Sequence, residues 1–231
     1  MTQYLFEPAP IHALPVAGSD ALYPVHRIYC VGRNYAAHAR EMGKDPDRDP
    51  PFYFMKPAIA LSVAAPSTTV PYPPQTSNYH HEIELVVAIG KGGRDIPLEQ
   101  ALEHVYGYAV GLDMTRRDLQ LKAREQGRPW ELGKSFAESA PIGPIHPASE
   151  VGHLASGHIS VSVDGETRQS SDLSKLIWSV AECIAHLSQY EELLPGDLIM
   201  TGTPEGVGPV TPGQTMVGAI DGLGQIEVTV A

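Results

Sequence analysis

The stretch His80-His81-Glu82-Ile83-Glu84-Leu85-Val86-Val87 sets two carboxylates two residues apart at the head of an otherwise apolar run. A strand sends residues i and i+2 to one face, so Glu82 and Glu84 point together while Ile83, Leu85 and Val87 enter the core on the other side. Two like charges side by side call for a counter-charge, and a divalent cation supplies it. Asp113, at the end of a second apolar run from Tyr106 to Leu112, offers a third carboxylate oxygen if the two strands are neighbours. Three hard oxygen donors with no Cys close by select Mg²⁺ or Mn²⁺ over Zn²⁺, with water or substrate completing the octahedron. The competing reading is a solvent-facing edge strand that happens to carry two acids.

His38 and Glu41 are three residues apart, which on a helix puts both on one face. The carboxylate can orient the imidazole, and the other ring nitrogen can take a proton from water. A solvated surface pair is the alternative. The preceding Gly32, with Gly43 and the acidic, Pro-rich Lys44 to Pro51, predicts a short helix on a connection able to close over a ligand. After Asp113, Arg117 and Gln120 follow at helical spacing. They can face the same cavity, Arg117 as a planar fork for a carboxylate, with Lys134 as a point charge for a developing enolate. Arg116, Lys122 and Arg124 read instead as a basic helix surface. Thr203 lies in Gly202-Thr203-Pro204-Glu205-Gly206-Val207-Gly208, a tight turn that either approaches a small ligand or simply joins two strands. Neither GxxxxGK[ST] nor GxGxxG occurs, so no phosphate loop is expected.

The elements that must position these residues are mostly short strands, because Gly 22 and Pro 21 in 231 residues supply abundant turn chemistry. Strands are expected at Arg27 to Val31, Pro51 to Met55, Glu82 to Ile89, Tyr106 to Leu112, His158 to Val163, Leu198 to Thr201 and Gln225 to Val230. The best helical periodicity runs from Ser174 to Ser188, with shorter helices expected at Tyr35 to Met42, Pro97 to His104 and Thr115 to Glu125. The fold class is therefore α+β, predominantly β. Residues 1–24, rich in Pro and Ala, are expected as an N-terminal arm on a single catalytic domain covering 25–231.

Composition narrows the partners. Sixteen Lys and Arg against 27 Asp and Glu give a formal net charge of −11, which argues against a nucleic-acid binder and against anionic membrane surfaces. With 42% hydrophobic and 19% charged residues the chain can bury a full core. No apolar run approaches a membrane span, and the start MTQYLFEPAP lacks a basic n-region and an h-region, so a cytoplasmic protein is expected. Cys30 and Cys183 read as two buried thiols and not as a disulfide framework.

Taken in order, Gly32-Arg33-Asn34-Tyr35 with His38 and Glu41, Phe54-x-Lys56-Pro57, His81-Glu82-x-Glu84-Leu85, Asp113-x-Thr115-x-Arg117-Asp118-x-Gln120, Gly133-Lys134-Ser135-Phe136 and Gly202-Thr203-Pro204-x-Gly206-Val207-Gly208 resemble the fumarylacetoacetate hydrolase family. The resemblance runs from about residue 26 to the C-terminus and is strongest to its short, acylpyruvase-type members. It implies a mixed β-sandwich roll, a homodimer, and one Mg²⁺ or Mn²⁺ per chain held by Glu82, Glu84 and Asp113. It further implies His38 and Glu41 as the water-activating dyad, Lys134 as the enolate-stabilising lysine, and substrate contacts from Arg33, Tyr35, Arg117, Gln120 and Thr203. Where longer members carry a further aspartate ligand this chain has Arg33, which points away from fumarylacetoacetate itself.

The implied reaction is hydrolysis of a carbon–carbon bond of a 2,4-dioxo acid, with 3-fumarylpyruvate giving fumarate and pyruvate in gentisate breakdown as the leading case. Oxaloacetate decarboxylation or tautomerisation, or isomerisation or hydration of a 2-oxo-dienoate, would use the same metal site. A non-catalytic, metal-dependent binding module for dicarboxylates is the alternative from another class. Phe52, Tyr53, Tyr79 and Trp130 are candidate walls for the acyl group.

Overall fold

The computed structural model describes residues 3–41 and 49–231. Every residue of the strand Ile83–Ile89 is buried, and its side chains alternate between two cores. Ile83, Leu85, Val87 and Ile89 join one; Val86 and Ala88 join the other. Each such fully buried Leu, Ile or Val stabilises the fold by about 1.5–3 kcal/mol. Antiparallel partners flank it on both sides, Val105–Leu112 on one and Leu198–Met200 on the other. The solvent-facing edge strand is thereby ruled out.

These strands belong to an eight-stranded mixed sheet among the described residues. Its main path runs Phe52–Lys56, Ile28–Gly32, Leu198–Met200, Ile83–Ile89, Val105–Leu112, Ala140–Ile142 and Leu61–Val63. A five-stranded sheet packs on one face of it, where Val161, Met216, Ile226 and Val228 share a core with Leu85 and Val110. The helix Val180–Tyr190 closes that core with Val180, Cys183, Ile184 and Leu187. On the opposite face Cys30, Ala88, Ala109 and Ala140 sit among larger aliphatic side chains. A Cβ on Gly111 would come within 2.6 Å of Val86, so this side accepts close approach and the sheet curls around it. The hairpin of Ala13–Pro15 and Leu22–Pro24 fills one end of the curl with Leu14, Val16 and Tyr23. Its Tyr23 hydroxyl donates to the carbonyls of Ile89 (2.8 Å) and Asp197 (2.9 Å). The other end of Ile83–Ile89 carries the carboxylates.

The mostly-β α+β architecture agrees with expectation, and so do the seven strands within one or two residues. Three helices differ. The stretch expected as a helix from Ser174 begins as a 3-10 turn, Leu173–Lys175, capped by Asp172; Leu176 then bridges Tyr35, and the α-helix starts only at Val180. Ser179 and Glu182 form a reciprocal capping box there, which fixes the start. Leu98–His104 is a 3-10 helix. The helix expected from Thr115 starts at Arg117, because Thr115 and Arg116 pair with His80 and Tyr79. The first short helix spans Ala36–Glu41; its expected end at Met42 and Gly43, and most of the connection expected to close over a ligand, lie outside the described residues.

Candidate metal and substrate site

Glu82, Glu84 and Asp113 converge because of register. Ile83 lies opposite Leu112, and the Asp113 amide donates to the Glu82 carbonyl at 2.8 Å, so the ends of the two strands coincide. Side-chain alternation then turns all three carboxylates to the inner face of the curl. One oxygen from each lies within 4.8 Å of the others, and all three residues are buried.

Cations surround two of the three. Lys134 Nζ donates to Glu82 Oε2 (2.7 Å), Asp113 Oδ2 (2.6 Å) and Thr115 Oγ1 (2.7 Å), using all three of its protons. Arg117 pairs with the other Glu82 oxygen, and Lys56 Nζ lies 2.9 Å from Asp113 Oδ1. Glu84 has only the Gly202 amide, at 2.7 Å, and no ion pair among the described residues. Gly202 sits at φ 96°, and a Cβ there would meet that of Asn34 at 2.7 Å, so this approach to Glu84 requires glycine.

The electrostatics follow from that layout. Burial opposes ionisation of Glu82, but Lys134 and Arg117 outweigh it and hold its carboxyl well below the usual range. Burial also works against the Lys134 ammonium, and Asp113 and Glu82 more than compensate, so its pKa rises and its charge is kept. Glu84 goes the other way: burial first, then the charges of Asp113 and Glu82, push its carboxyl well above the usual range. A hard, all-oxygen triad with one under-compensated acid fits a divalent cation, and Glu82, Glu84 and Asp113 could hold it.

His38 reaches the same cavity from the helix Ala36–Glu41. Its Nδ1 lies 3.1 Å from Glu41 Oε2, so the carboxylate makes Nδ1 the donor and leaves the Nε2 lone pair available. Glu41 in turn accepts the Gly206 amide at 3.2 Å; the bond from His38 holds its carboxyl below the usual range. A Cβ on Gly206, at φ 90°, would meet the Arg168 carbonyl oxygen at 2.1 Å.

The cavity, together with the open solvent space at its mouth, spans about 420 Å³. Its floor is Glu82, Glu84, Asp113 and Lys134, with Arg117, Gln120, Thr203 and His38 beside them and Arg33, Arg124, Phe54 and Trp130 also in the lining. Gln120 Oε1 accepts from Arg117 Nη1 at 2.5 Å, which leaves its amide hydrogens for another partner. The Thr203 hydroxyl is engaged by the Ile83 carbonyl and by Gln169 Nε2, both at 2.8 Å.

Of the site residues expected from sequence, only Glu41 and Tyr35 do not line the cavity. Glu41 stands behind His38, whereas Tyr35 is buried in strand-like contact with Leu176 and its hydroxyl has no hydrogen-bond partner. Among the candidate walls, Trp130 lines the cavity with Phe54 beside it, while Phe52 packs edge-on against Trp130 without lining the cavity itself. Tyr53 instead stacks on His186, and Tyr79 packs in the larger core. Sequence reasoning gave no role to Lys56, which is fully buried and also donates to Ser139 Oγ at 2.9 Å and to the Lys134 carbonyl. A lysine closing an apolar strand just before a proline was the available signal. It also missed Gln169, whose amide joins Thr203, the Ile83 amide and His81. His80 accepts from Arg117 Nε at 3.3 Å, and burial with that neighbouring charge lowers its pKa to about 4, keeping it neutral as an acceptor.

A family model described as "Fumarylacetoacetate (FAA) hydrolase C-terminal" matches residues 27–231. The chain belongs to the fumarylacetoacetate hydrolase family. Within that family, a fumarylpyruvate hydrolase of a Ralstonia species is 51% identical over 191 residues, covering 82% of this chain and 98% of the relative. The crystal structure of fumarylpyruvate hydrolase from Pseudomonas aeruginosa, in complex with Mn²⁺ and pyruvate, matches with a TM-score of 0.98 at 63% identity over 99% of both chains. A mitochondrial oxaloacetate tautomerase of Arabidopsis thaliana is 40% identical over 204 residues, 88% of this chain and 90% of the relative. Among the described residues no helix is long and apolar enough to cross a membrane.

Proposed function

We propose that this family member is a Mg²⁺- or Mn²⁺-dependent hydrolase that splits 3-fumarylpyruvate into fumarate and pyruvate, within breakdown of an aromatic compound through gentisate. The observation that carries the reading is the His38–Glu41 dyad opening on the same cavity as the buried acidic triad and Lys134. A base oriented for water has a direct use in hydrolysis, whereas decarboxylation needs no activated water. The identities of 51% and 63% to fumarylpyruvate hydrolases support it further.

Glu82, Glu84 and Asp113 would hold the cation, one per chain, which when bound supplies Lewis-acid polarisation at the 2-oxo acid end of the substrate. Arg117 orients Glu82, and the free amide hydrogens of Gln120 meet the substrate's C1 carboxylate. His38 Nε2 takes a proton from water while Glu41 stabilises the imidazolium, and the resulting hydroxide adds to the C4 carbonyl. The C3–C4 bond then breaks with its electron pair on C3. The Lys134 ammonium, locked in its charged state, offsets the developing enolate. Protonation of C3 gives pyruvate, and the new fumarate carboxyl loses its proton, so each turnover releases one proton net. The active form is proposed as a homodimer. Exposed Met55, Ile59 and Leu132, beside the strand Phe52–Lys56, give such an interface apolar surface.

The test is loss of dioxo-acid absorbance with fumarylpyruvate, run alongside proton release at constant pH, before and after EDTA and after Mn²⁺ or Mg²⁺ is restored. Metal-dependent hydrolysis with one proton per turnover is expected. The 40% identity to an oxaloacetate tautomerase favours a second reading, enol–keto exchange of oxaloacetate on the same floor. Activity on oxaloacetate with none on fumarylpyruvate would replace the first reading by the second.

A further inference from the structure

The cations around the cavity differ in burial. Lys134 and Arg117 are buried and each is matched by a carboxylate of the floor. Arg33 and Arg124 are only half-buried and line the same cavity nearer its mouth. Arg33 has no acidic partner among the described residues. Its guanidinium lies instead over the Phe52 ring at 5.2 Å and over the Trp130 ring at 5.7 Å. Burial lowers its pKa, and so does the like charge of Arg124, which lines the same cavity.

Arg33 is also held in an uncommon conformation, with φ 56°, where a non-glycine residue is strained. The chain passes so close to Phe52 that a Cβ on Gly32 would overlap its ring, at 2.0 Å. Strain at Arg33, aromatic faces fixing its guanidinium, and a second arginine lining the same cavity make an anion receptor whose Arg33 fork is held in place before any ligand arrives. Planar forks of this kind match a carboxylate in bidentate fashion.

Resting on the dioxo-acid reading above, we propose that Arg33 and Arg124 form a clamp for the far carboxylate of the acyl group, so that the enzyme selects dicarboxylic acylpyruvates over those with a neutral acyl chain. The floor handles the end common to every 2,4-dioxo acid; the clamp handles the end that differs. Trp130, between Arg33 and Phe54, forms the wall along the unsaturated acyl carbons.

The experiment compares kcat/KM for fumarylpyruvate and for acetopyruvate, whose acyl group is uncharged, in the Mn²⁺-loaded wild type and in Arg33→Asn, Arg124→Gln, the double variant and Arg124→Lys. Asn tolerates the positive φ at position 33, so folding is retained, and melting curves check it. The wild type should prefer fumarylpyruvate. Each neutral variant should lower the fumarylpyruvate-to-acetopyruvate ratio by about ten- to hundredfold, through KM more than kcat, and Arg124→Lys should restore part of it. A ratio in the double variant within twofold of wild type would overturn the clamp. Calorimetric binding of fumarate gives a second readout that needs no turnover: its affinity should fall in the double variant while pyruvate affinity holds. Equal fumarate affinity in both proteins would overturn the clamp on its own. Absence of turnover of either dioxo acid would overturn the hydrolase reading and leave the fumarate result to judge the clamp.

Discussion

The two halves of the site are built from different material. The acidic floor grows from the ends of Ile83–Ile89 and Val105–Leu112, strands at the centre of the eight-stranded sheet with paired neighbours on both sides. The dyad grows from Ala36–Glu41, a helix of six residues in which only His38 and Ala39 are buried. A helix that short gains little from its own hydrogen bonds and depends on its surroundings. Its ties outward are the Gly206 amide on Glu41 and the side chain of Asn34, which bonds the Trp178 carbonyl (2.8 Å) and the Thr201 carbonyl (2.9 Å). Charge binding thus sits on strands paired on both sides, and water activation on a short helix with fewer buried residues. In the floor, removing an ion-paired charge should cost stability. In the dyad it should cost mainly rate.

The largest effect is expected from Asp113→Asn. It leaves Lys56 and Lys134 buried with their main counter-charge gone, an imbalance that costs about 3–5 kcal/mol. For a chain of this size that is a fall in Tm on the order of 6–20 °C, read by thermal melting, together with loss of Mn²⁺ binding by calorimetry. A melting curve unchanged from wild type would erase the distinction between floor and dyad. Next comes His38→Ala, expected to lose roughly 10²- to 10⁴-fold in kcat while still binding Mn²⁺ and keeping its stability within about 2 kcal/mol. Turnover near wild type in that variant would remove the dyad from the mechanism.

Glu84→Gln sharpens the comparison within the floor itself. Unlike Asp113, Glu84 has no ion pair among the described residues, and a glutamine keeps an acceptor for the Gly202 amide. Replacing a buried carboxylate that lacks a partner should leave the metal-free protein as stable as wild type or up to about 1 kcal/mol more so. Mn²⁺ affinity should drop all the same. Destabilisation of the metal-free protein by Glu84→Gln, measured in urea, would show that the floor treats its three acids alike.

Legibility in the sequence followed the same division. The carboxylate spacing and the apolar alternation around it were readable because both obey the period of two. The strand Glu166–Asp172 was not, since Glu-Thr-Arg-Gln-Ser-Ser-Asp has no apolar alternation; it forms the edge of the five-stranded sheet, and its buried Gln169 serves hydrogen bonds where an apolar residue would serve packing. Lys56 was opaque for another reason. Its partner Asp113 is distant in sequence, and only the curl of the sheet brings the two together. The helix start at Val180 was legible in Ser179-x-x-Glu182, yet the periodic Leu176 and Ile177 ran the expectation past it. Tertiary contact with Tyr35 and Asn34 holds those two residues out of the helix.

The smallest effect tests the dyad's own coupling through pH. The folded Glu41 carboxyl is held below its ordinary value of 4.5, first by the hydrogen bond from His38 and, after an opposing contribution from burial, by the Gly206 amide. A depressed carboxyl contributes stability that is present above the unfolded value and lost as pH falls through the folded one. Glu41→Gln removes that contribution, so the variant should melt slightly below wild type near pH 7. The gap should narrow once pH drops below about 4.5 and close as the wild-type carboxyl protonates. Because Glu41 is partly exposed, the whole difference should be small and should shrink further in high salt. A gap that stays constant from pH 7 to the acid limit would mean that Glu41 serves the helix through packing. Its charge would then have no measurable part in holding His38 toward the cavity.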